Sequence, residues 1–216
     1  EWDCASQSAN VTIDGPLGDI SENLTINNTN DQRLFLNGSG TVNATVGGDF
    51  MIGNFTDVVL SNSGSTTLDI TGSVTNFGIL RLSLGGGAAT LAMQENISSP
   101  GDIAGTGTLT FSGNALQTVA ITGGTSGAIT YNIPDNAEID LTTSVLGGSG
   151  ALIVGDDVIL RTGFAEAAGA FQNNTTGGAI RVSPGSRNYG DNVEIIFNGT
   201  AAQYIGNAFP NGNNLQ

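Results

Sequence analysis

Apolar and polar residues alternate along most of this chain, in short runs that Gly, Asn or Ser separate. A period of two with many β-branched residues is typical of strands that bury one face. TVNATV at 41–46 and QTVAI at 117–121 show the pattern clearly. Fourteen such runs predict strands, at 10–14, 23–27, 33–36, 41–46, 57–60, 66–70, 79–84, 108–111, 117–121, 138–141, 151–154, 158–160, 179–182 and 193–197.

One long segment lacks this alternation. GFAEAAGAF at 163–171 gathers Ala and Glu between glycines, and it predicts at most one or two helical turns. The polar run QNNTTGG follows it at 172–178. Since long stretches without strand character usually lie on the surface, we expect 161–178 to leave the fold as a lateral loop. This loop is either simply solvated or an element that binds a partner.

Repetition separates the two architectures that short, evenly spaced strands allow, a solenoid and a sandwich array. Gly-rich strand starts recur 43 residues apart, as GTGTLTFSG from 105 and GSGALIVGD from 148. The motif Phe-x-Gly-x-x-x-Gln-x-(Val/Ile) recurs 86 residues apart, at 111–119 and 197–205. One coil of a parallel β-helix takes roughly 20 to 25 residues, so these offsets correspond to two and four coils. We predict an all-β fold in which residues 1–216 form a single right-handed parallel β-helix, with a β-sandwich array as the alternative.

Successive coils of such a helix stack their inward side chains into apolar ladders, while Gly, Asn and Asp fill the corners. The repeated motif fits this plan: its Phe and Val/Ile are expected in the core, its Gly at a corner, and its Gln as a bridge between backbone groups of adjacent coils. The motif positions are Phe111, Gln117 and Val119 in the first copy and Phe197, Gln203 and Ile205 in the second. The predicted inward ladder consists of Val59, Ile70, Leu82, Leu109, Ile153, Ile180 and Ile195.

The charge balance restricts the partners of the chain. Asp and Glu number 19 against five Arg, with no Lys or His, which gives a formal net charge of −14. Nucleic acid needs clustered Lys and Arg to displace its counterions, so we expect no nucleic-acid partner. No apolar run approaches the ~20 residues that span a bilayer, so no transmembrane segment is predicted.

The residue inventory also argues against catalysis. Nucleophilic triads and zinc sites fail for want of His and of paired thiolates, since Cys4 is the only cysteine. GDDVIL at 155–160 resembles the Gly-Asp-Asp segment of polygalacturonases, in which acidic side chains serve as acid and base. The Gly-His-Gly and Arg-Ile-Lys motifs of that family have no counterpart here. We therefore interpret Asp156 and Asp157 as a polar turn and predict no catalytic residues and no enzyme activity.

Calcium is the one metal that the composition favours, because hard oxygen ligands are plentiful in an acidic chain. GGSGALIVG at 147–155 departs from the calcium-binding nonapeptide, since Leu152 stands where the ligand Asp belongs. No cofactor is otherwise expected. The weak calcium candidates are Asp156, Asp157, Asp191 and Glu194.

Several short segments of the chain resemble sequences of a known protein family. Trp2-Asp3-Cys4 followed by Asn10-Val11-Thr12-Ile13, and then Asn23-Leu24-Thr25-Ile26, are similar to the openings of β-helical regions in secreted surface proteins of Bacteroidota-type bacteria. Many of those proteins are adhesin-like cargo of the type IX secretion system. The resemblance implies an extracellular or cell-surface location. Asn213-Asn214-Leu215 looks like the start of another such strand, so we expect the chain to be a segment of a longer repeat protein.

These observations favour a non-catalytic extracellular protein, a rod that acts as a surface stalk or as a subunit of a fibre or filament. Self-association end to end or side by side, and glycans, are the expected partners. The first alternative is a β-helical protein that binds or degrades carbohydrate. The second is an ice-binding solenoid, which Thr-rich strands such as TLT at 108–110 suggest and which the irregular spacing of Thr along the chain opposes.

Overall fold

The computed structural model describes residues 1–13 and 17–210. Through these residues the chain winds into a solenoid of about seven coils, and three parallel sheets run along it. The β-helix prediction is confirmed, and the sandwich array is wrong, because the strand ladders are parallel. The only helical turn in the described part of the chain is a 3₁₀ turn at Pro184–Ser186.

The first sheet has nine strands and extends over the whole length of the solenoid. In spatial order its strands are β1 (Trp2–Asp3), β3 (Leu24–Asn28), β6 (Phe50–Ile52), β9 (Val74–Asn76), β12 (Ile97–Ser99), β15 (Gln117–Ile121), β17 (Glu138–Asp140), β19 (Ile159–Thr162) and β21 (Glu194–Phe197).

The other two sheets are shorter. The five-stranded sheet contains β2 (Val11–Thr12), β4 (Arg33–Phe35), β7 (Asp57–Ser61), β10 (Ile79–Ser83) and β13 (Asp102–Ala104). The seven-stranded sheet contains β5 (Thr41–Val46), β8 (Ser65–Ile70), β11 (Ala88–Met93), β14 (Gly107–Phe111), β16 (Ile129–Ile133), β18 (Leu152–Val154) and β20 (Arg187–Tyr189).

A single apolar core runs along the axis, from Ile26 in the first coils to Val193 in the last. Alternate residues of each strand point inward, so register partners on successive coils stack on one another. Burying one such side chain contributes roughly 1.5–3 kcal/mol. One ladder of the seven-stranded sheet consists of Val46, Ile70, Met93, Phe111, Ile133 and Val154.

Four of the seven predicted ladder residues lie in the core: Ile70, Leu82, Leu109 and Ile180. Val59 is buried, but it is in register with Arg81 and faces away from the core, into which its neighbours Val58 and Leu60 point. Ile153 is wrong, because it is 39% exposed and its neighbours Leu152 and Val154 point inward instead. The pairing of Leu152 with Tyr131 determines which residues of β18 point inward. Its three consecutive apolar residues give no sequence signal about which face is buried. Ile195 is only half-buried.

The coil length explains both recurrences found in the sequence. Leu109 pairs with Tyr131 and Tyr131 with Leu152, so the offset of 43 residues is two coils, as predicted. The offset of 86 is not four coils. Phe111 ends β14 of the seven-stranded sheet, whereas Phe197 ends β21 of the nine-stranded sheet. The last coil is enlarged, since Ile159 pairs with Glu194 thirty-five residues later, and this shifts the second motif to another corner.

The enlarged coil contains the segment predicted to lie outside the strand pattern. Residues 163–183, which we call the lateral segment, carry no named strand, and within 163–171 there is a turn at 167–168 rather than a helix. The strand predicted at 179–182 is also wrong, because only Ile180 forms an isolated bridge, to Leu146. The guanidinium of Arg187 occupies the carbonyls of Ile180 and Val182, at 2.8 Å each, which would otherwise be free to pair in a sheet.

Asn213-Asn214-Leu215, proposed as the start of another strand, lies outside the described residues. Among the residues that are described, no helix is long and apolar enough to cross a membrane.

Candidate functional site

The Gln117 side chain lies at a corner between β14 and β15 and joins two coils. Its Nε2 donates to the carbonyl oxygens of Met93 at 3.1 Å and Glu95 at 2.6 Å, both on the preceding coil. Its Oε1 accepts from the Gly113 backbone N–H at 2.9 Å. Only glycine fits at position 113, since a Cβ there would lie 2.2 Å from the Gln94 carbonyl oxygen. The buried amide thus satisfies three backbone groups that the corner removes from the strand ladder.

Gln203 makes the same set of contacts at the corner that follows β21. Its Nε2 donates to the carbonyls of Thr162 at 2.8 Å and Phe164 at 3.2 Å, and its Oε1 accepts from the Gly199 N–H at 2.5 Å. The motif therefore predicts a corner of the solenoid. It does not predict which of the three sheets the preceding strand belongs to. Ile205, expected in the core, is 50% exposed, which corrects that prediction.

The aromatic residues of the two motif copies differ in their surroundings. Phe111 is fully buried in the core ladder of the seven-stranded sheet. Phe197 is half-buried and meets the Phe171 ring edge-on, with 6.3 Å between ring centroids. Phe171 also meets Phe209 edge-on at 5.4 Å, so this aromatic group packs the lateral segment against the end of the solenoid.

Two of the four calcium candidates direct a carboxylate oxygen to a protein group. The Asp156 Oδ1 accepts from the Asp191 backbone N–H at 2.7 Å, and the Asp157 Oδ1 accepts from the Asn192 side-chain amide at 3.1 Å. Glu194 begins β21, where its N–H donates to the Val158 carbonyl. Within the described residues, no group of three acidic, Cys or His side chains is arranged to hold a metal ion. The arrangement is that of a structural corner.

Asp156 makes a hydrogen bond between coils that recurs at the corners of the solenoid and was not predicted from the sequence. Eight Asp or Asn side chains each accept, through Oδ1, a backbone N–H of the next coil at 2.7–3.0 Å, where the ladder of backbone hydrogen bonds is interrupted. The recurring Gly-Asp dipeptide is a signal that could have revealed it. The accepting residues are Asn10, Asp19, Asn23, Asp49, Asn96, Asp102, Asp135 and Asp156.

Three of the five arginines also join coils. Arg33 and Arg81 flank the buried Asp57 from the coils on either side, with Nε to carboxylate oxygen distances of 3.5 and 2.8 Å. Arg161 contacts the Glu138 carboxylate of the neighbouring coil at 2.5 Å. These cations are engaged in holding the solenoid together.

Arg187 fastens the lateral segment. Its guanidinium donates to four backbone carbonyls, those of Gln172, Asn174, Ile180 and Val182, at 2.8–3.1 Å. Burial lowers its pKa, and the neighbouring Tyr189 acts in the opposite direction. No sequence signal marked this residue, because its partners are backbone groups of a segment without regular structure.

A cleft lies between the lateral segment and the middle coils. It has a volume of about 550 Å³ and a floor rich in Gly and Thr, and Thr175 and Arg181 come from the lateral segment. Arg181 contacts Glu166 at 3.3 Å and the Gly178 carbonyl at 3.0 Å. Below the cleft, the buried Tyr131 hydroxyl donates to the Gly147 carbonyl at 2.9 Å, and burial raises its pKa.

Comparison with known proteins does not extend these observations. No protein-family model matches the sequence, and neither the curated proteins nor the solved structures include a match.

Proposed function

We propose that this protein is a non-catalytic structural or adhesive rod of the extracellular space or cell surface. The observation that carries the proposal is that polar side chains of this protein bond one coil to the next. Many charged and amide groups, the chemistry from which a catalytic site would be built, form bonds between coils, among them Asp57, Gln117 and Asp156. The solenoid is thereby tied at its core, at its corners and on its faces.

Such a molecule acts by its geometry. Seven coils at a strand spacing of about 4.8 Å give a rod roughly 34 Å long, and a longer array of the same kind would extend it in proportion. Each coil contacts only its neighbours, and the inter-coil bonds of Asp57, Gln117 and Asp156 resist bending between them. A stiff rod holds attached modules away from a surface, or joins with copies of itself in a fibre. The resemblance to secreted Bacteroidota-type surface proteins supports the first role.

Electron microscopy of the native source tests this proposal. Isolated rods that project from a cell envelope are expected for a stalk, and fibres with a regular subunit repeat are expected for a filament component. A panel of pectins, alginates and host glycans incubated with the purified chain tests the absence of catalysis. Turnover of any of them would overturn the non-enzyme proposal.

A second candidate function, carbohydrate binding, is favoured by the cleft beside the lateral segment. Hydroxyls of Thr122, Thr125 and Thr143 and the guanidinium of Arg181 line a space large enough for a short oligosaccharide. Binding to a glycan array should be lost in Thr143→Trp, which fills the cleft, and kept in Thr75→Trp on a distant face. Equal binding by both variants would remove this candidate.

A further inference from the structure

The outer face of the seven-stranded sheet carries four threonines in register on four successive coils. Thr67 pairs with Thr90, Thr90 with Thr108, and Thr108 with Thr130. Each is half-buried between more deeply buried inward residues, so its side chain lies on the outer face. We call Thr67, Thr90, Thr108 and Thr130 the threonine ladder.

The ladder is regular in space although it is irregular in sequence. Its members are 23, 18 and 22 residues apart along the chain. The corners absorb these differences, and the hydroxyls therefore repeat once per strand, at about 4.8 Å. The irregular spacing of Thr along the sequence therefore does not oppose an ice-binding face, because the threonines are in register on the sheet.

The positions beside the ladder are small and almost free of charge. A second outward row lies two residues further along each strand, and Asp69 is its only charged member. In a chain of net charge −14 this leaves a nearly neutral surface. The second row consists of Thr45, Asp69, Ala92, Thr110 and Asn132.

The ladder hydroxyls are also unused by the protein. Among the described residues, none of the four makes a hydrogen bond to another protein group, whereas the inward Thr66 donates to the Leu60 carbonyl at 3.0 Å. Four free hydroxyls, each beside its own methyl group, thus face outward in one straight row. The lack of protein hydrogen bonds is a separate observation from the regular spacing, and it leaves the four hydroxyls available to a ligand.

We propose that this face binds ice. Crystalline water is an uncharged, flat lattice of hydrogen-bond donors and acceptors, and one of its repeats is close to the strand spacing of a β-sheet. A nearly neutral face of evenly spaced hydroxyls complements it in charge and in period. A charged ligand would need opposite charges, and an apolar partner would need a contiguous apolar patch; this face offers neither.

Partition of the full chain into slowly growing ice tests the proposal. The wild-type chain is expected to enrich in the ice over a reference globular protein of similar size and charge, and to shape the growing crystal. Thr108→Lys places a long cation in the middle of the ladder and should reduce the enrichment by about tenfold, the equivalent of about 1.4 kcal/mol. Thr75→Lys is the matched control, since Thr75 points outward from β9, where Met51 interrupts the row.

Thermal unfolding of both variants shows that each is folded, because outward Lys substitutions leave the core intact. Three results would overturn the proposal: exclusion of the wild-type chain from ice like the reference, equal loss in the two variants, or binding to crystalline cellulose or chitin without binding to ice. A wild-type dimer in sedimentation that Thr108→Lys dissociates, without ice enrichment, would instead assign the face to a second copy of the chain. None of these results changes the proposed role of the solenoid as a rod.

Discussion

Gln117 and Gln203 make the same three hydrogen bonds at two different corners of the solenoid. In each case the side-chain oxygen accepts from the N–H of a glycine four residues earlier, and the side-chain nitrogen donates to two carbonyls of a neighbouring coil. The first corner leads out of the seven-stranded sheet and the second out of the nine-stranded sheet. The motif therefore forms the same bridge between coils wherever it occurs, whichever sheet precedes the corner.

Replacing Gln117 by Leu is expected to destabilise the fold by about 2–4 kcal/mol, because the Met93 and Glu95 carbonyls and the Gly113 N–H lose their partner in a buried site. Gln203→Leu should cost less, about 1 kcal/mol, since that corner is partly exposed. Urea unfolding followed by circular dichroism measures both. Gln94→Leu is the control, because Gln94 is exposed. An unchanged urea midpoint in Gln203→Leu would argue against the bridge.

The sequence predicted the architecture well because β-helix coils repeat two simple features. Alternation marked most strands of five or six residues, and Gly-rich starts two coils apart set the coil length. Most failures lie where those features are weak, although ITYNI at 129–133 alternates clearly, was not predicted, and forms β16. AATLAM at 88–93 has too much Ala to stand out, and it forms β11. Strands of three residues, such as β6 and β12, are too short to show a period.

The candidate sites were less predictable, because they depend on which coils become neighbours. The ladder from Thr67 to Thr130 requires the register of four strands, and corners of unequal length hide that register in the sequence. The partners of Arg187 are backbone carbonyls, which no residue pattern reports. Asp156, by contrast, was correctly interpreted as a polar turn, and the structure adds its contact with the next coil.

Asp156 should be replaceable by Asn but not by Ala. Asn keeps the oxygen that accepts the Asp191 N–H and removes a negative charge from a corner that also holds Asp135 and Asp191, so its thermal midpoint should equal or exceed that of the wild type. Ala removes the acceptor and should cost about 1 kcal/mol. Differential scanning calorimetry of the three proteins makes this comparison.

The same measurement with added calcium or a chelator tests the metal candidates. A chelator is expected to leave the thermal midpoint unchanged, because Asp156 and Asp157 already direct oxygens to protein groups. A rise with calcium, lost in Asp156→Asn, would establish a calcium site here.

Arg187→Lys is expected to loosen the lateral segment while the coils stay folded. A Lys ammonium cannot reproduce the planar fork that reaches carbonyls of Gln172, Ile180 and Val182 together. Limited proteolysis should then cut within 163–183 several-fold faster, with little change in the cooperative unfolding of the solenoid. Arg33→Lys serves as the control, because its contact with Asp57 is long, at 3.5 Å, and partly exposed. Equal cleavage of wild type and Arg187→Lys would show that the segment is held by other contacts.

Two buried tyrosines make the fold sensitive to alkali. Burial raises the pKa of Tyr189 to about 12, although Arg187 acts against this shift, and burial also raises the pKa of Tyr131. The folded state therefore holds these protons after an unfolded tyrosine, with its ordinary pKa of 10.0, has lost them. It follows that the two groups leave stability unchanged at lower pH and reduce the free energy of unfolding as the pH rises above about 10, by at most about 1.4 kcal/mol per pH unit and group.

Urea unfolding at a series of alkaline pH values measures this dependence. Tyr189→Phe should flatten the loss, since it removes one group from the titration, and the Tyr189 hydroxyl has no hydrogen-bond partner among the described residues to lose. Tyr131→Phe should flatten it too, but from a lower starting stability, because it forfeits the hydrogen bond to the Gly147 carbonyl. Tyr204 is 51% exposed, so Tyr204→Phe should follow the wild-type curve. If all three variants followed that curve, the alkaline sensitivity would have to come from groups other than the buried tyrosines.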